Sequence, residues 1–107
     1  MTSPMQLEMF AQGVTQAHVD ELLRLLRVNG WLTRRQLGPL TGWAERSIRS
    51  VAEQAGTEVV RGPRGFNVVE RCSLDEIEHC AAIAESQGKK MVEYALALRR
   101  RAHARLA

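Results

Sequence analysis

The chain has 107 residues, of which 45% are hydrophobic and 25% are charged. This length accommodates one domain with one appended element, and the composition is typical of a folded protein rather than a disordered one. The net charge of +3 permits nucleic-acid binding without requiring it. No apolar run approaches the roughly 20 residues that span a bilayer, and the first residues lack a signal-peptide pattern. We therefore expect a cytoplasmic protein that does not contact membranes.

Composition and periodicity divide the chain into three parts. Residues 1–14 lack sustained periodicity and are predicted to form a flexible tail. Residues 15–72 are predicted to form a domain of three helices and a β-hairpin, and residues 73–107 a C-terminal helix. The expected fold class is mainly α with a small β-hairpin (α+β).

The first helix is predicted from about Gln16 to Val28. Asn29-Gly30 then ends it, because Gly and Asn adopt the left-handed C-terminal conformation at low cost. The apolar side chains recur at helical spacing and form one stripe: Val19, Leu22, Leu23 and Leu26.

Two further helices follow. Thr33 and Gln36 have the spacing of a capping box, which predicts a helix start at Thr33. This helix is short because Gly38-Pro39 lies within it or ends it. Residues 40–43 are predicted to form a turn, followed by a helix from about Ala44 to Ala55. Five residues lie on its predicted core face: Ala44, Ile48, Val51, Ala52 and Ala55.

A β-hairpin is predicted next. Two β-rich runs, Thr57–Arg61 and Phe66–Glu70, flank Gly62-Pro63-Arg64-Gly65. Gly and Pro are the residues that tight turns require, so these four residues are predicted to join the two strands.

This order of elements resembles the winged helix-turn-helix family and is similar to small winged-helix proteins of phages and prophages. The resemblance covers about Thr15 to Arg71. It is carried by Thr33–Leu37 (second helix), Thr41–Trp43 (turn), Ala44–Val51 (recognition helix) and Arg61–Phe66 (wing).

The resemblance implies binding of double-stranded DNA, sequence-specific or general, by a transcriptional regulator or a replication accessory. The third helix would enter the major groove, where Arg46 and Arg49 can bind guanine bidentately. Arginines at the start of the second helix would contact phosphates, and those of the wing would reach the minor groove or its phosphates. The candidate DNA-binding residues are Arg34, Arg35, Arg46, Ser47, Arg49, Ser50, Arg61 and Arg64.

A purely structural role is the alternative for Arg49. Glu45 precedes it by four residues and Glu53 follows it by four, a spacing at which ion pairs stabilise a helix by about 0.2–0.5 kcal/mol each. These two acids also reduce the positive potential of the same helix face.

The C-terminal helix is predicted to begin with a second capping box, Ser73 and Glu76, and to reach about Leu106 if it passes Gly88. Seven residues recur along it at alternating steps of three and four and form a seam that is apolar except for Gln87, as in a dimeric coiled coil. The pattern favours a homodimer, and the alternative is that this stripe packs on the first helix of the same chain. The candidate dimerisation residues are Ile77, Cys80, Ala84, Gln87, Met91, Tyr94 and Leu98.

The tail carries a pentapeptide, Gln6-Leu7-Glu8-Met9-Phe10, that resembles the motif by which bacterial replication and repair proteins bind the sliding clamp. Met9 stands where the motif has Leu. The resemblance implies partner binding by Gln6, Leu7, Met9 and Phe10. The alternative is that the apolar residues of this peptide cover the protein's own surface.

No pattern in the chain predicts catalysis. Gly62-Pro63-Arg64-Gly65 is too short for a phosphate-binding loop, and Cys72, His79 and Cys80 have a poor spacing for zinc. We expect a non-enzymatic protein without cofactor or metal. DNA binding is the leading hypothesis. The alternative is a protein-interaction adaptor that binds the sliding clamp, or another replication or host protein, through its N-terminal peptide.

Overall fold

The computed structural model describes residues 13–106. Its mainly helical fold with one antiparallel hairpin and a long C-terminal helix confirms the predicted fold class. Short 3-10 turns at Gly56–Glu58 and Val69–Arg71 flank the hairpin. The other elements are α1 (Gln16–Asn29), α2 (Arg34–Thr41), α3 (Glu45–Ala55), β1 (Val59–Gly62), β2 (Gly65–Val68), α4 (Leu74–Glu85) and α5 (Lys89–Leu106).

The three helices α1, α2 and α3 pack against one face of the hairpin around a first core. The leucine stripe of α1 is buried as predicted, and α3 contributes its apolar face. One sequence expectation needs correction: Ala44 is the exposed N-cap of α3 rather than a core residue. Pro39 lies inside α2, which is one of the two placements that the sequence allowed. The core includes Leu22, Leu26, Leu37, Trp43, Ile48, Val51, Ala52, Val59 and Val68.

The capping box at the start of α2 forms as predicted. The backbone N–H of Gln36 donates to Thr33 Oγ1 at 3.1 Å, and the backbone N–H of Thr33 donates to Gln36 Oε1 at 2.9 Å. The helix runs through two of the four residues predicted as turn and ends at Thr41. Gly42 then adopts a left-handed conformation with φ +76°. This turn fixes the direction in which α3 leaves α2.

The hairpin is shorter than predicted, with Pro63-Arg64 as its two-residue turn. It gains a partner that the sequence did not reveal: Leu32, between α1 and α2, forms an antiparallel bridge with Phe66. The backbone N–H of Phe66 donates to Leu32 O at 2.8 Å, and that of Leu32 donates to Phe66 O at 3.0 Å. The bridge ties the wing to the residue that precedes Thr33, the N-cap of α2.

The C-terminal segment is a hairpin of two helices, α4 and α5, and not one continuous helix. We call it the C-terminal hairpin. The chain turns at Ser86–Gly88, where Gly88 has φ +130°, and α5 packs antiparallel on α4. Five of the seven predicted seam residues are buried within a single chain, because the turn brings the two halves of the seam together. The homodimer stays a prediction, but the surface on which it depended is used inside the chain. These residues are Ile77, Cys80, Ala84, Tyr94 and Leu98.

The helical hairpin also covers the free edge of β1 and forms a second core with Val60, on the face of the sheet opposite the first core. The Tyr94 hydroxyl donates to Val59 O at 2.6 Å and accepts from the backbone N–H of Arg61 at 3.2 Å. An exposed strand edge invites pairing with other chains, so this hydroxyl protects the hairpin. The C-terminal segment is therefore part of the same body as the winged region.

Candidate nucleic-acid interface

Four arginines of α2 and α3 form what we call the arginine cluster: Arg34, Arg35, Arg46 and Arg49. All four are exposed. Their guanidinium groups form no hydrogen bond or ion pair with any other residue in the 13–106 range. Among those residues, neither Glu45 nor Glu53 pairs with Arg49, so the i,i+4 pairs that offered it a purely structural role are not formed.

Most arginines elsewhere in the described chain are engaged. Arg24 binds Glu21 at 2.7 Å, and Arg27 binds Glu70 at 3.0 Å. Ion pairs or hydrogen bonds to main-chain carbonyls likewise hold Arg64, Arg71, Arg99, Arg101 and Arg105. Outside the arginine cluster and the wing, Arg100 on α5 is the one arginine among residues 13–106 without such a partner. The arginines without an ion-pair or carbonyl partner thus lie mainly on α2 and α3, while Lys89, Lys90 and Arg100 are exposed cations of α5 that form no ion pair with residues 13–106.

A groove of about 640 Å³ lies beside the arginine cluster. Arg34 of α2, Arg49 of α3 and Arg61 of β1 all line it. Its residues come from α2, α3, the wing and the turn between α4 and α5. They are Thr33, Arg34, Arg49, Glu53, Arg61, Gly62, Pro63, Gly65, Phe66, Ile83, Ala84, Gln87 and Met91.

The two wing arginines are held against the C-terminal hairpin. The Arg61 guanidinium stacks over the Tyr94 ring at 4.0 Å, and its buried Nε has no hydrogen-bond partner among residues 13–106. Arg64 Nη1 lies 3.0 Å from Glu76 Oε2, and its guanidinium lies 5.3 Å from the centre of the Trp31 ring. The sequence predicted Arg64 as a freely reaching wing tip, whereas the structure pairs it with the first turn of α4.

The serines of α3 have separate environments. Ser50 Oγ donates to the Arg46 carbonyl oxygen at 3.1 Å, and Ser47 is half-buried. Ser50 therefore retains its oxygen lone pairs as acceptors for a ligand, while its proton is used within the helix.

Glu76 joins the wing tip, Trp31 and the N-terminus of α4. Its carboxylate accepts from the backbone N–H of Ser73 at 2.8 Å and from Trp31 Nε1 at 3.0 Å. These hydrogen bonds, the one from Ser73 first, hold the pKa of Glu76 below its ordinary value, with Arg64 contributing. A carboxyl with a lowered pKa stabilises the fold at neutral pH, and that contribution disappears as the pH falls through the lowered pKa.

We expect Glu76→Ala to lower the free energy of unfolding by about 1 kcal/mol at pH 7, because it removes the capping carboxylate. The difference from the wild type should shrink at an acidic pH well below the ordinary pKa of glutamate, because the wild-type carboxyl protonates as the pH falls through its lowered pKa. Urea unfolding at both pH values measures it. Asp75→Ala, which removes an exposed carboxylate from the same helical turn, should cost less at pH 7. An equal loss for both variants at neutral pH would show that the contacts of Glu76 contribute nothing.

The remaining predicted site residues divide by location. Gln6, Leu7, Met9 and Phe10 lie outside the described residues, so clamp binding stays a prediction. Three predicted seam residues also line the groove: Ala84, which is buried in the second core as well, Gln87 and Met91. Sequence analysis missed their proximity to the arginines, and the glycine at position 88 was the one signal of a reversal there.

No family model, no curated protein and no solved structure matches the chain. Within the part that the structure describes, no three His, Cys, Asp or Glu side chains meet in a way that would hold a metal ion. No helix between residues 13 and 106 is long and apolar enough to cross a membrane.

Proposed function

We propose that this protein binds double-stranded DNA through α2 and α3. The observation that carries the proposal is the arginine cluster, four exposed guanidinium groups without a protein partner in the described chain, whereas most other arginines there are engaged. A guanidinium offers planar, paired donors that match phosphate oxygens and the edge of guanine.

The architecture supports this use of the cluster. One side of α3 is buried in the first core through Ile48, Val51 and Ala52. Arg46 and Arg49 are exposed on the rest of the helix surface. An exposed helix of this kind fits the major groove of B-DNA, where side chains distinguish base pairs. Arg34 and Arg35 occupy the first turn of α2 and would contact the phosphate backbone beside it.

DNA binding is common to both roles that the sequence suggests, transcriptional regulation and replication. It does not require the homodimer, since a single α3 can occupy one stretch of major groove. The adaptor hypothesis rests on residues 6–10, outside the described chain, so no contact in the structure favours it over DNA binding.

We expect Arg46→Ala with Arg49→Ala to weaken binding to a random-sequence duplex at least about tenfold, because two charged contacts are lost. Fluorescence anisotropy at fixed salt measures this change. The matched control is Arg24→Ala with Arg27→Ala, which removes the same charge from α1 and should change affinity less than about threefold. Thermal unfolding of both proteins checks that they fold. Equal losses would mean that net charge alone governs binding, and no loss in either would refute the proposed surface.

A further inference from the structure

The groove beside the arginine cluster has a wall that a three-helix winged domain does not supply. Ile83 and Ala84 from α4, Gln87 from the turn and Met91 from α5 face the groove from the C-terminal hairpin. They line the same groove as Arg34 and Arg49. The C-terminal hairpin is therefore positioned to contact whatever binds the arginine cluster.

The lining of the groove is both cationic and apolar. Arg34, Arg49 and Arg61 reach it from three different elements, and Glu53 is the one acid among its lining residues. Apolar surface comes from the wing and from the C-terminal hairpin, including Pro63 and Met91. A nucleic-acid strand has the complementary character, because charged phosphates alternate with the less polar faces of the sugars.

Arg61 differs from the other described residues that line the groove because one of its polar atoms is buried without a hydrogen-bond partner. Its guanidinium is held against Tyr94 at 4.0 Å, and its Nε is buried without a hydrogen-bond partner among residues 13–106. Buried donors are nearly always satisfied, by protein, water or ligand. Arg61 as a whole is only half-buried and lines the groove, so a phosphate oxygen there would accept from the accessible part of its guanidinium in a charge-assisted hydrogen bond.

We infer that the groove holds one phosphodiester strand of the bound duplex, with Arg61 as a phosphate contact and Gln87 beside the path of the strand. The C-terminal hairpin is then part of the DNA-binding surface as well as a support for the wing. This inference rests on the proposed function, since it names the path of one strand across the same face.

The test introduces a negative charge into the groove at Gln87. Gln87 is exposed, so Gln87→Glu leaves the core intact. We expect it to weaken binding to a random-sequence duplex about fivefold or more, because the new carboxylate repels the phosphates. Ala82→Glu adds the same charge at an exposed position of α4 that does not line the groove, and should change affinity less than about twofold.

Two further variants test the same path in other ways. Gln87→Arg adds a cation to the groove. It should raise the affinity for DNA and make that affinity depend more steeply on salt. Arg61→Gln removes a phosphate contact and should flatten the slope of log K against log salt by about 0.9. Thermal unfolding reports whether the loss of the Tyr94 stack has altered the fold.

The outcomes separate this inference from the function on which it rests. If the Arg46/Arg49 double variant weakens binding but Gln87→Glu matches Ala82→Glu, the strand does not follow the groove and the inference is overturned. If neither the double variant nor Gln87→Glu affects binding, the proposed function fails as well. Weakening by both, with Ala82→Glu unchanged, supports the path.

Discussion

Replacing Gly65 with alanine is expected to lower the free energy of unfolding by about 3 kcal/mol or more. Gly65 has φ +107°, a conformation that residues with a Cβ rarely adopt. A Cβ there would also collide with the backbone of Leu32 and Thr33. Main-chain atoms cannot move aside as a flexible side chain would, so the bridge between Leu32 and Phe66 would have to open.

The control for this prediction is Gly56→Ala. Gly56 also has a positive φ, +61°, but a Cβ there would meet no atom within 4 Å. Gly56→Ala should lower the free energy of unfolding by about 1–2 kcal/mol, which is the cost of the unfavourable backbone conformation alone. Urea unfolding followed by circular dichroism measures both variants. A loss at Gly65 no larger than that at Gly56 would contradict the close packing of the wing on the segment before α2.

The second large effect is expected at Leu98. Its side chain is fully buried in the second core, so Leu98→Ala should lower the free energy of unfolding by about 2–5 kcal/mol. Leu96 on the same helix is 46% exposed, and Leu96→Ala should cost less than about 0.5 kcal/mol. Chemical denaturation of the two variants provides the comparison.

The same experiment distinguishes the helical hairpin from a coiled-coil dimer. When the seam closes within one chain, the wild-type unfolding midpoint does not depend on protein concentration. A midpoint that rises over a hundredfold range of concentration would mean that α4 and α5 pair between chains. Similar losses for Leu96→Ala and Leu98→Ala would contradict the burial of Leu98.

The sequence predicts most helix positions because their signals are local. The capping boxes at Thr33 and Ser73 form as expected. The seam pattern was ambiguous for a physical reason: side chains at steps of three and four form one stripe, and a stripe packs equally well on its own chain or on another. The reversal of the chain at Gly88 selects packing within one chain. The sequence could not predict it, because the conformation of Gly88 depends on tertiary contacts.

The sequence predicts that arginines are exposed on α3, but it does not predict which arginines of the chain form ion pairs. Exposed arginines on α3 follow from its helical periodicity. Which arginines are engaged depends on distant partners: Arg64 pairs with an acid 12 residues away, and Arg27 with one 43 residues away. The wall that the C-terminal hairpin adds to the groove likewise depends on contacts between segments far apart in the chain.

The most direct test of the central claim is a salt series of anisotropy titrations with the wild-type chain and a random-sequence duplex. Binding through several arginine–phosphate contacts releases counterions, so log K should fall linearly with log salt, with a slope of about −0.9 for each phosphate contacted. The arginine cluster and Arg61 predict a slope of about −3 or steeper. Absence of binding at low salt, or binding indifferent to salt, would contradict the account.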